Sequence, residues 1–488
     1  MKHKWMFIGM ILLTLGIAFF FSLIQNTITL TRHHQHQAVE AIEYEDDTSK
    51  LPIIKIDTKE TKIPGTPIVD ANGITIGYEV SEQNEKMSKA SLSLVNHETK
   101  GNKQTDRATF QSDIQIRYRG NSSRHFAKKG YLIRLIDEQG QERKEALLGM
   151  SAHNEWALHG PFLDKTLMRN YLCMNIIGQV MPFTPDVRFV QVYVDDEYQG
   201  LYLMEETITQ GEGRVNIAKV EDGDRHISYI LRMDENPQDI RSLHTLDKYT
   251  FMSEEHTSLS VVYPGTNRMS EAWKEYIEQD ISAFEKALFS YDFQDPEKGY
   301  RAYIDVESFV DYYIFMEFFG VKDFGLRSTY VYKDVKGKLC MGPVWDFNNT
   351  MDNFFQKQPD TGIQFVETIW FRSLLKDEYF VNKVIHRYHD LRKTVLQEEY
   401  LLQYIDEVQS FLGQEIERNY EKWGYSFDAS QVAENEKLIP DERNLTSYEA
   451  AIEQMKSFLQ VRGQWLDEHI ETLYQYAHES KNKDVLLK

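Results

Sequence analysis

Two aspartates flank a predicted β-hairpin and could together carry out acid–base and metal chemistry. Asp323 stands just before the first predicted strand, 328–332, and Asp346 follows the second, 339–344. A chain that runs out along one strand and back along its partner returns to its starting end, so the two carboxylates are predicted to meet. Paired carboxylates can accept a hydroxyl proton and hold Mg²⁺ against phosphate oxygens. The alternative is that each aspartate only caps a turn or a helix.

A second polar segment, RGNSSRHFAKK at residues 119–129, has the composition of an anion-binding loop. Its glycine permits close backbone approach, its Asn and Ser side chains offer donors, and its cations stand out in an acidic chain. The alternative is a polar hairpin turn with solvated lysines. No GxxxxGK[ST] pattern is present. The residues predicted to contact nucleotide phosphates are Arg119, Gly120, Asn121, Ser122, Ser123, Lys128 and Lys129.

These segments resemble blocks of the spore coat protein H (CotH) kinase-like family. RGNSS at 119–123, followed by KKxY, is similar to the family's RGNS…KKSY signature, and GPVWDF at 342–347 is similar to its WDFD motif. The blocks GPFLDKxLMRN and YQGLYLME lie between them in the family's order. With both ends included, the resemblance covers about residues 51–473.

The resemblance implies a divergent kinase that uses ATP and Mg²⁺ or Mn²⁺ to phosphorylate protein hydroxyls. Asp323 corresponds to the catalytic aspartate that accepts the substrate proton, and Asp346 to the metal-binding aspartate. Either Lys128 or Lys129 holds phosphates, with Lys129 assigned as the catalytic lysine. Glu205, at the end of the YQGLYLME block, is assigned to nucleotide contact.

Two positions depart from the expected metal-binding pattern. Asn348 stands where the family commonly has a second aspartate, so an oxygen ligand remains but a charge is lost. Ser328 stands where protein kinases place a metal-binding Asn. Both are predicted to contact the metal beside Asp346. The tripeptide Asp323-Phe-Gly spells the metal-binding DFG motif, but its position before the hairpin indicates the catalytic-loop role instead.

The elements around these residues predict an α+β chain with an atypical, two-lobed protein-kinase-like fold. Alternating apolar residues predict strands, and periodic segments predict helices. The N-lobe is predicted at about 51–235 and the C-lobe at about 236–473, followed by a polar tail at 474–488; the segment 222–268 matches no family block. Predicted strands are 51–57, 113–119, 131–136, 189–194 and 198–204; predicted helices are 166–180, an amphipathic 306–319, long helices within 378–423 and a last one starting near Thr446.

Composition limits the partners of this chain. The 488 residues carry 76 acidic against 55 basic side chains, a net charge of −21, which disfavours binding to nucleic acid. The two cysteines, Cys173 and Cys340, both lie in apolar sequence and are predicted to be buried free thiols, with a single disulfide as the alternative.

The N-terminus carries a predicted signal anchor. Residues 5–24 form an uncharged apolar run, long enough as a helix to span about 30 Å of bilayer core. Lys2 and Lys4 precede it, so residues 1–4 are expected in the cytoplasm and the main domain outside it. Residues 25–50 are predicted to form a polar stalk. A cleaved signal peptide and a buried helix are the alternatives.

Three functions follow from these expectations. The first is a membrane-anchored kinase that phosphorylates Ser or Thr of a cell-envelope or coat protein. The second is a non-catalytic surface-binding scaffold or pseudokinase on the same fold. The third is transfer of phosphate or of a nucleotide to an envelope glycan.

Overall fold

A computed structural model describes residues 48–97, 100–234, 242–246, 258–265 and 267–477. Within these ranges the chain is a mixture of strands and helices, as the composition and patterning predicted. The strands are β1 (Ile53–Asp57), β2 (Pro67–Val69), β3 (Thr75–Tyr78), β4 (Ser88–Val95), β5 (Phe110–Arg119), β6 (Gly130–Ile136), β7 (Glu155–His159), β8 (Val187–Val194), β9 (Glu197–Glu206), β10 (Tyr229–Asp234), β11 (Ser258–Tyr263), β12 (Thr329–Lys333) and β13 (Cys340–Met341).

Seven strands close into a barrel in the order β1-β4-β5-β6-β7-β9-β8. The first strand, β1, closes it by pairing antiparallel with β4 and parallel with β8. Alternate residues point inward and fill the interior, as expected for a small barrel. The inward residues include Ile56, Leu92, Ile114, Ile116, Ile133, Leu135, Trp156, Val190, Tyr202 and Met204.

A second, four-stranded sheet has the order β11-β10-β12-β13 and contains the hairpin predicted between the two aspartates. β10, which comes from the segment 222–268, pairs antiparallel with β12. The described part of that segment therefore contributes to this sheet. The turn of the hairpin is closed by a bond from Gly337 N to Asp334 O of 2.9 Å. The candidate residues therefore flank one hairpin of the second sheet, with Asp323 before β12 and Asp346 after the edge strand β13.

The first helix, α1, lies between β7 and β8 in the chain, and the other α-helices come after β8. The α-helices are α1 (Arg169–Gly178), α2 (Glu271–Phe289), α3 (Val306–Phe319), α4 (Phe371–Leu374), α5 (Glu378–Arg392), α6 (Glu398–Leu412), α7 (Gln414–Trp423) and α8 (Tyr448–His469). Short 3-10 helices span Ser122–Arg124, Tyr300–Ala302, Gly424–Phe427, Ala429–Gln431, Glu434–Glu436, Asp441–Arg443 and Ile470–Gln475. One hydrophobic core joins α1 and the outer faces of β8 and β9 to the C-terminal helices.

The prediction that 306–319 is amphipathic was wrong. The helix α3 exists with those bounds, but from Phe309 to Phe319 every residue except Asp311 is buried. A helix surrounded on all sides has no polar face, and its apolar residues then show no helical period. The last helix was predicted to start near Thr446; α8 begins at Tyr448, and the Ser447 hydroxyl caps it by accepting from Ala450 N at 3.1 Å.

The remaining predictions on organisation are met only in part. The predicted strands and the helices near 166–180 and 378–423 are confirmed with small shifts in their bounds. Cys173 is buried and Cys340 is half-buried, and both are free thiols. Within the described ranges every helix is too short or too polar to cross a bilayer. The predicted anchor, 5–24, lies outside the described residues.

The end of the predicted stalk packs on the domain instead of standing free. Ser49 exchanges backbone hydrogen bonds with Asn102, of 2.8 and 2.7 Å. The Lys50 amide donates to the Glu415 carboxylate at 3.1 Å, and Arg418 donates to the Thr48 carbonyl at 2.9 Å. The folded part of the chain therefore begins by residue 48.

Candidate active site

The loop between α3 and β12 places Asp323. The helix α3 is capped at its C-terminal end by Gly320, whose φ of 61° is left-handed, and the chain then turns tightly. The amides of Leu326 and Arg327 both donate to the Asp323 carbonyl, at 3.0 and 2.9 Å. Asp323 is thereby fixed, 7% exposed, just before β12, where the hairpin prediction put it.

The loop after β13 places Asp346. Asp346 has a left-handed φ of 65°, which turns the chain sharply after the hairpin. Asn170, in the first turn of α1, accepts from the Phe347 amide at 2.6 Å and so fixes the next residue of the loop. Its amide group also donates to the Asn348 side-chain oxygen at 3.2 Å. The start of α1 therefore positions the metal-site candidates.

The two loops meet through Asn349. Its side-chain amide, carried on the Asp346 loop, donates to Asp323 Oδ2 at 3.0 Å. Burial and then the charge of Asp346 raise the pKa of Asp323 to about 6, while the hydrogen bond from Asn349 opposes the rise. Burial also raises the pKa of Asp346, with Arg119 acting in the opposite direction. The charge of Asp346 therefore influences the protonation of Asp323.

Arg119 joins this pair to the barrel. It lies at the end of β5, with its guanidinium 5.0 Å from the Trp345 ring centre and 3.6 Å from the Glu205 carboxylate. Glu205 is 1% exposed on β9, and its Oε1 has no hydrogen-bond partner among the described residues. An orphaned buried oxygen beside Asp346 and Arg119 is a polar group that a cation or a hydrogen-bond donor would satisfy.

A scan against family models matches residues 116–466 to the CotH kinase protein family. The chain belongs to the CotH kinase family. No curated protein matches it. The matched region includes both aspartates, Arg119 and Glu205, and it extends from β5 into α8. The CotH resemblance seen in the sequence blocks is therefore confirmed for most of the chain.

The phosphate-loop candidates of this CotH domain form a compact turn. Gly120 has a φ of 108°, and Ser122 and Ser123 open a 3-10 helix. The hydroxyl of Tyr78, on β3, donates to the Asn121 side chain at 3.2 Å, and the Arg124 guanidinium stacks 3.9 Å from the same ring. The β2–β3 hairpin therefore braces the loop from one side.

The two lysines of the loop are both engaged within the domain. Lys128 is 1% exposed and donates to the Leu201 carbonyl and to the Asn419 side chain, both at 2.8 Å. Lys129 is half-buried and donates to the Arg124 carbonyl at 2.6 Å. Burial lowers the pKa of both ammonium groups. Their assignment to phosphates, and the catalytic role of Lys129, stay predictions.

Of the remaining metal candidates, only Asn348 has a described contact with one of the two aspartates. The Asn348 amide donates to Asp346 Oδ1 at 2.7 Å. Next to it, His159 stays neutral because burial, then Arg119, lowers its pKa to about 3. Ser328 is half-buried with a left-handed φ of 50°, between the Asp323 loop and β12. In the described part of the chain no group of three or more His, Cys, Asp or Glu is arranged as a metal site.

The donor set nevertheless suits a nucleotide-bound Mg²⁺ or Mn²⁺. Mg²⁺ is commonly held by one or two carboxylates, with substrate phosphates and waters completing its shell. Asp346 and the amide oxygen of Asn348 could supply the protein ligands, and Glu205 lies close enough to feel the charge of Asp346. Sequence reasoning missed Asn349 and Asn170, although Asn170 closes the block GPFLDKxLMRN that carries the CotH resemblance.

The structure predicts an unusual pH dependence of stability at Glu205. Burial raises its pKa to about 8, with Asp346 adding to the rise and Arg119 opposing it. Its contribution to stability is therefore fully present below about pH 4.5 and is lost as pH rises towards 8. Between about pH 5 and pH 9, the free energy of unfolding of Glu205→Gln should fall by roughly 4 kcal/mol less than that of the parent. Chemical denaturation measures this; parallel curves would contradict it.

Gly120 is predicted to tolerate no side chain. A Cβ there would lie 1.8 Å from the Ser123 hydroxyl oxygen, at a φ that L-residues rarely adopt. Gly149→Ala is the matched control, because Gly149 has a φ of 74° but open space around it. We expect Gly120→Ala to lower the free energy of unfolding by about 2 kcal/mol and Gly149→Ala by about 1 kcal/mol. Equal losses would show that Ser123 imposes no constraint.

Proposed function

We propose that this CotH domain transfers the terminal phosphate of ATP to Ser or Thr hydroxyls of a protein acceptor, with Mg²⁺ or Mn²⁺. The observation that carries the proposal is Asp323, a buried carboxylate with a pKa of about 6 that Asn349 links to the Asp346 loop. A base of that pKa is ionised at neutral pH and can still accept a proton. Asp346 and Asn348 would hold the metal.

The chemistry divides among few groups. The acceptor hydroxyl oxygen bonds to the γ-phosphorus, its proton passes to Asp323, and the bond from the γ-phosphorus to the bridging oxygen breaks, leaving ADP. A bound Mg²⁺ would neutralise charge on the phosphates. Arg119, held between Glu205 and Trp345, is aimed at the same region from the barrel side. Catalysis here is mainly positioning and charge neutralisation.

The test uses the full-length chain with γ-labelled ATP, Mg²⁺ or Mn²⁺, and a generic acceptor protein rich in Ser and Thr. We expect label on the acceptor from the parent and about 10²-fold less, or none, from Asp346→Asn. Mass spectrometry of the acceptor separates transfer of phosphate from transfer of AMP, and a glycan acceptor can replace the protein. Absence of ATP binding at millimolar Mg²⁺ would contradict the proposal.

A binding role is the second candidate, and Asn348 favours it. Its amide already donates to Asp346, and its oxygen accepts from Asn170, so its polar atoms are engaged before any metal arrives. A surface scaffold of this kind would keep its biological activity in an Asp346→Ala variant. A kinase would lose that activity.

We further propose that residues 5–24 anchor the chain in a membrane, with the CotH domain outside the cytoplasm. The support is the apolar run and the lysines that precede it. Protease added to intact cells should digest the domain, and washing with high salt or carbonate should leave the chain in the membrane fraction. Release by the carbonate wash would contradict the anchor.

A further inference from the structure

The β2–β3 hairpin exposes apolar side chains in an otherwise highly charged chain. Ile74 and Ile76 keep 62% and 67% of their surface exposed, and Ile68 and Val69 keep 45% and 48%. Residues 63–78 contain a single charged residue, whereas 27% of all residues in the chain are charged. Large apolar side chains that cluster on a surface mark a site of contact with another molecule or with a membrane.

The turn at the tip of this hairpin satisfies its own polar groups. Its one charged residue, Asp70, accepts through Oδ1 from the Asn72 and Ile74 amides, both at 2.9 Å. The Asp70 amide donates to the Ile74 carbonyl at 2.9 Å, and the Gly73 amide donates to the Asp70 carbonyl at 3.0 Å. Groups that are bonded within the turn do not depend on water, and this is the condition for entering the apolar edge of a bilayer.

The base of the hairpin carries the residue types that membrane interfaces favour. Tyr78 lies there, with the Arg124 guanidinium 3.9 Å from its ring centre. Lys62 and Glu79 form an ion pair of 2.7 Å at the same end. Aromatic rings and long cationic side chains favour the headgroup level, while aliphatic side chains favour the acyl chains. The order of residues from tip to base therefore matches the order of layers in a bilayer.

The proposed anchor keeps this hairpin close to a membrane. The apolar run ends at residue 24, and the folded part of the chain begins by residue 48. The chain between them, 25–47, reaches at most about 80 Å even when it is fully extended. The hairpin begins at Pro67, soon after the start of the folded part. A protein partner must be recruited from solution, whereas the bilayer is always within reach of the hairpin.

We propose that the β2–β3 hairpin inserts its apolar tip into the lipid surface of the membrane that holds the anchor. The inference rests on the proposed anchor and is independent of phosphoryl transfer. The Tyr78 hydroxyl donates to Asn121, in the predicted phosphate loop, at 3.2 Å. Insertion of the hairpin therefore holds that loop, and the end of the barrel that carries it, next to the lipid surface.

The experiment uses the full-length chain, reconstituted in vesicles and labelled on cysteine with a fluorophore that reports polarity. The vesicles are made of zwitterionic phosphatidylcholine, because the net charge of −21 repels anionic lipid. Ile76→Cys places the label at the tip of the hairpin. Val335→Cys is the matched control, because Val335 is an aliphatic residue, 37% exposed, in the turn between β12 and β13. The labelled parent gives the background from Cys173 and Cys340.

Two quantities are measured: the emission maximum, and quenching by lipids that carry a nitroxide on the acyl chain. We expect the label at position 76 to emit at shorter wavelength than the label at position 335, and to be quenched at least about threefold more. Adding Ile74→Asn to Ile76→Cys should lower the insertion equilibrium constant by about tenfold, because one aliphatic side chain no longer favours the lipid.

Three results would overturn the inference. A label at position 76 that behaves like the one at position 335 places the hairpin in water. A label that emits at shorter wavelength but escapes the nitroxide is covered by protein, either a second copy of the chain or another partner. In both cases a chain that resists the carbonate wash keeps its anchor, so only the inference on the hairpin fails. Release of the chain by carbonate overturns the anchor and the inference together.

Discussion

Asp323→Asn lowers the rate of phosphoryl transfer by about 10³-fold, with little change in affinity for the nucleotide. The reason is that a positioned general base contributes about 10²- to 10⁴-fold, and an amide cannot accept the proton. Single-turnover kinetics with saturating ATP and Mg²⁺ measures the loss. The free energy of unfolding should change little, because the substituted side chain keeps an oxygen that can accept from the Asn349 amide. In the parent that amide nitrogen lies 3.0 Å from Asp323 Oδ2.

The dependence of activity on pH gives a second test of Asp323 as the base. The base must be deprotonated, and its pKa is about 6, so parent activity falls as pH drops through about 6. A cation bound at Asp346 offsets the charge that helps to raise this pKa, so saturating Mg²⁺ should move the acid limb lower. The residual activity of Asp323→Asn should lack that limb.

Asp311→Asn is the control for Asp323. Asp311 is another aspartate in contact with an arginine, Arg387 at 2.6 Å, and burial raises its pKa as well. It lies on α3, in the described helix that ends just before the Asp323 loop. Asp311→Asn should keep the parent rate. Comparable losses in the two variants would mean that Asp323 acts only through the fold.

Arg169→Met is expected to lower the free energy of unfolding strongly, by about 3–5 kcal/mol. Arg169 and Asp164 are an ion pair of 2.5 Å, with both side chains almost fully buried. The arginine also donates to the Thr350 carbonyl at 3.2 Å and to Gln454 on α8 at 2.8 Å. Its loss leaves Asp164 charged and buried, and it releases the far end of the Asp346 loop. Denaturant titration measures the stability.

Two further variants separate stability from catalysis. Asp164→Asn combined with Arg169→Met should recover part of the lost stability, because no unpaired buried charge remains. Arg462→Met should lower the free energy of unfolding by a similar amount, because it leaves the buried Glu317 carboxylate without its ion-pair partner. Among its described bonds, however, Arg462 makes no contact with the Asp346 loop. At a temperature where all are folded, the activity of Arg169→Met should fall below that of Arg462→Met. Equal activities would argue that Arg169 does not position the Asp346 loop.

The fold could be predicted best where one face of an element is buried. In β5 the residues Ile114 and Ile116 are buried and their neighbours are not, so alternation was visible. In β4 the same period is carried partly by Ser and Ala, which give a weak signal. For α3 the bounds were predicted correctly but the amphipathic face was not found, because nearly all of its residues are buried. Barrel closure was also missed, because pairing between β1 and β8 depends on residues far apart in the chain.

The site could be predicted as far as the hairpin and the family blocks reached. Asp323 and Asp346 were placed together because two paired strands bring their ends together. Asn349 was missed, because it follows a left-handed turn at Asp346, and such turns leave little trace in sequence spacing. The engagement of Lys128 was also invisible, since its partner Asn419 lies on α7, far along the chain.

The closing of the barrel by its first strand has a consequence for synthesis on the ribosome. β1 is among the first segments of the domain to emerge, yet its parallel partner β8 follows only after four further barrel strands and α1. Glu415, whose carboxylate accepts from the Lys50 amide, is synthesised later still, 365 residues further along the chain. Until then the edge of β1 and the inward face of the sheet stay uncovered, a condition that favours aggregation. A nascent chain stalled before β8 should therefore depend on chaperones, and one stalled after β9 should depend on them much less.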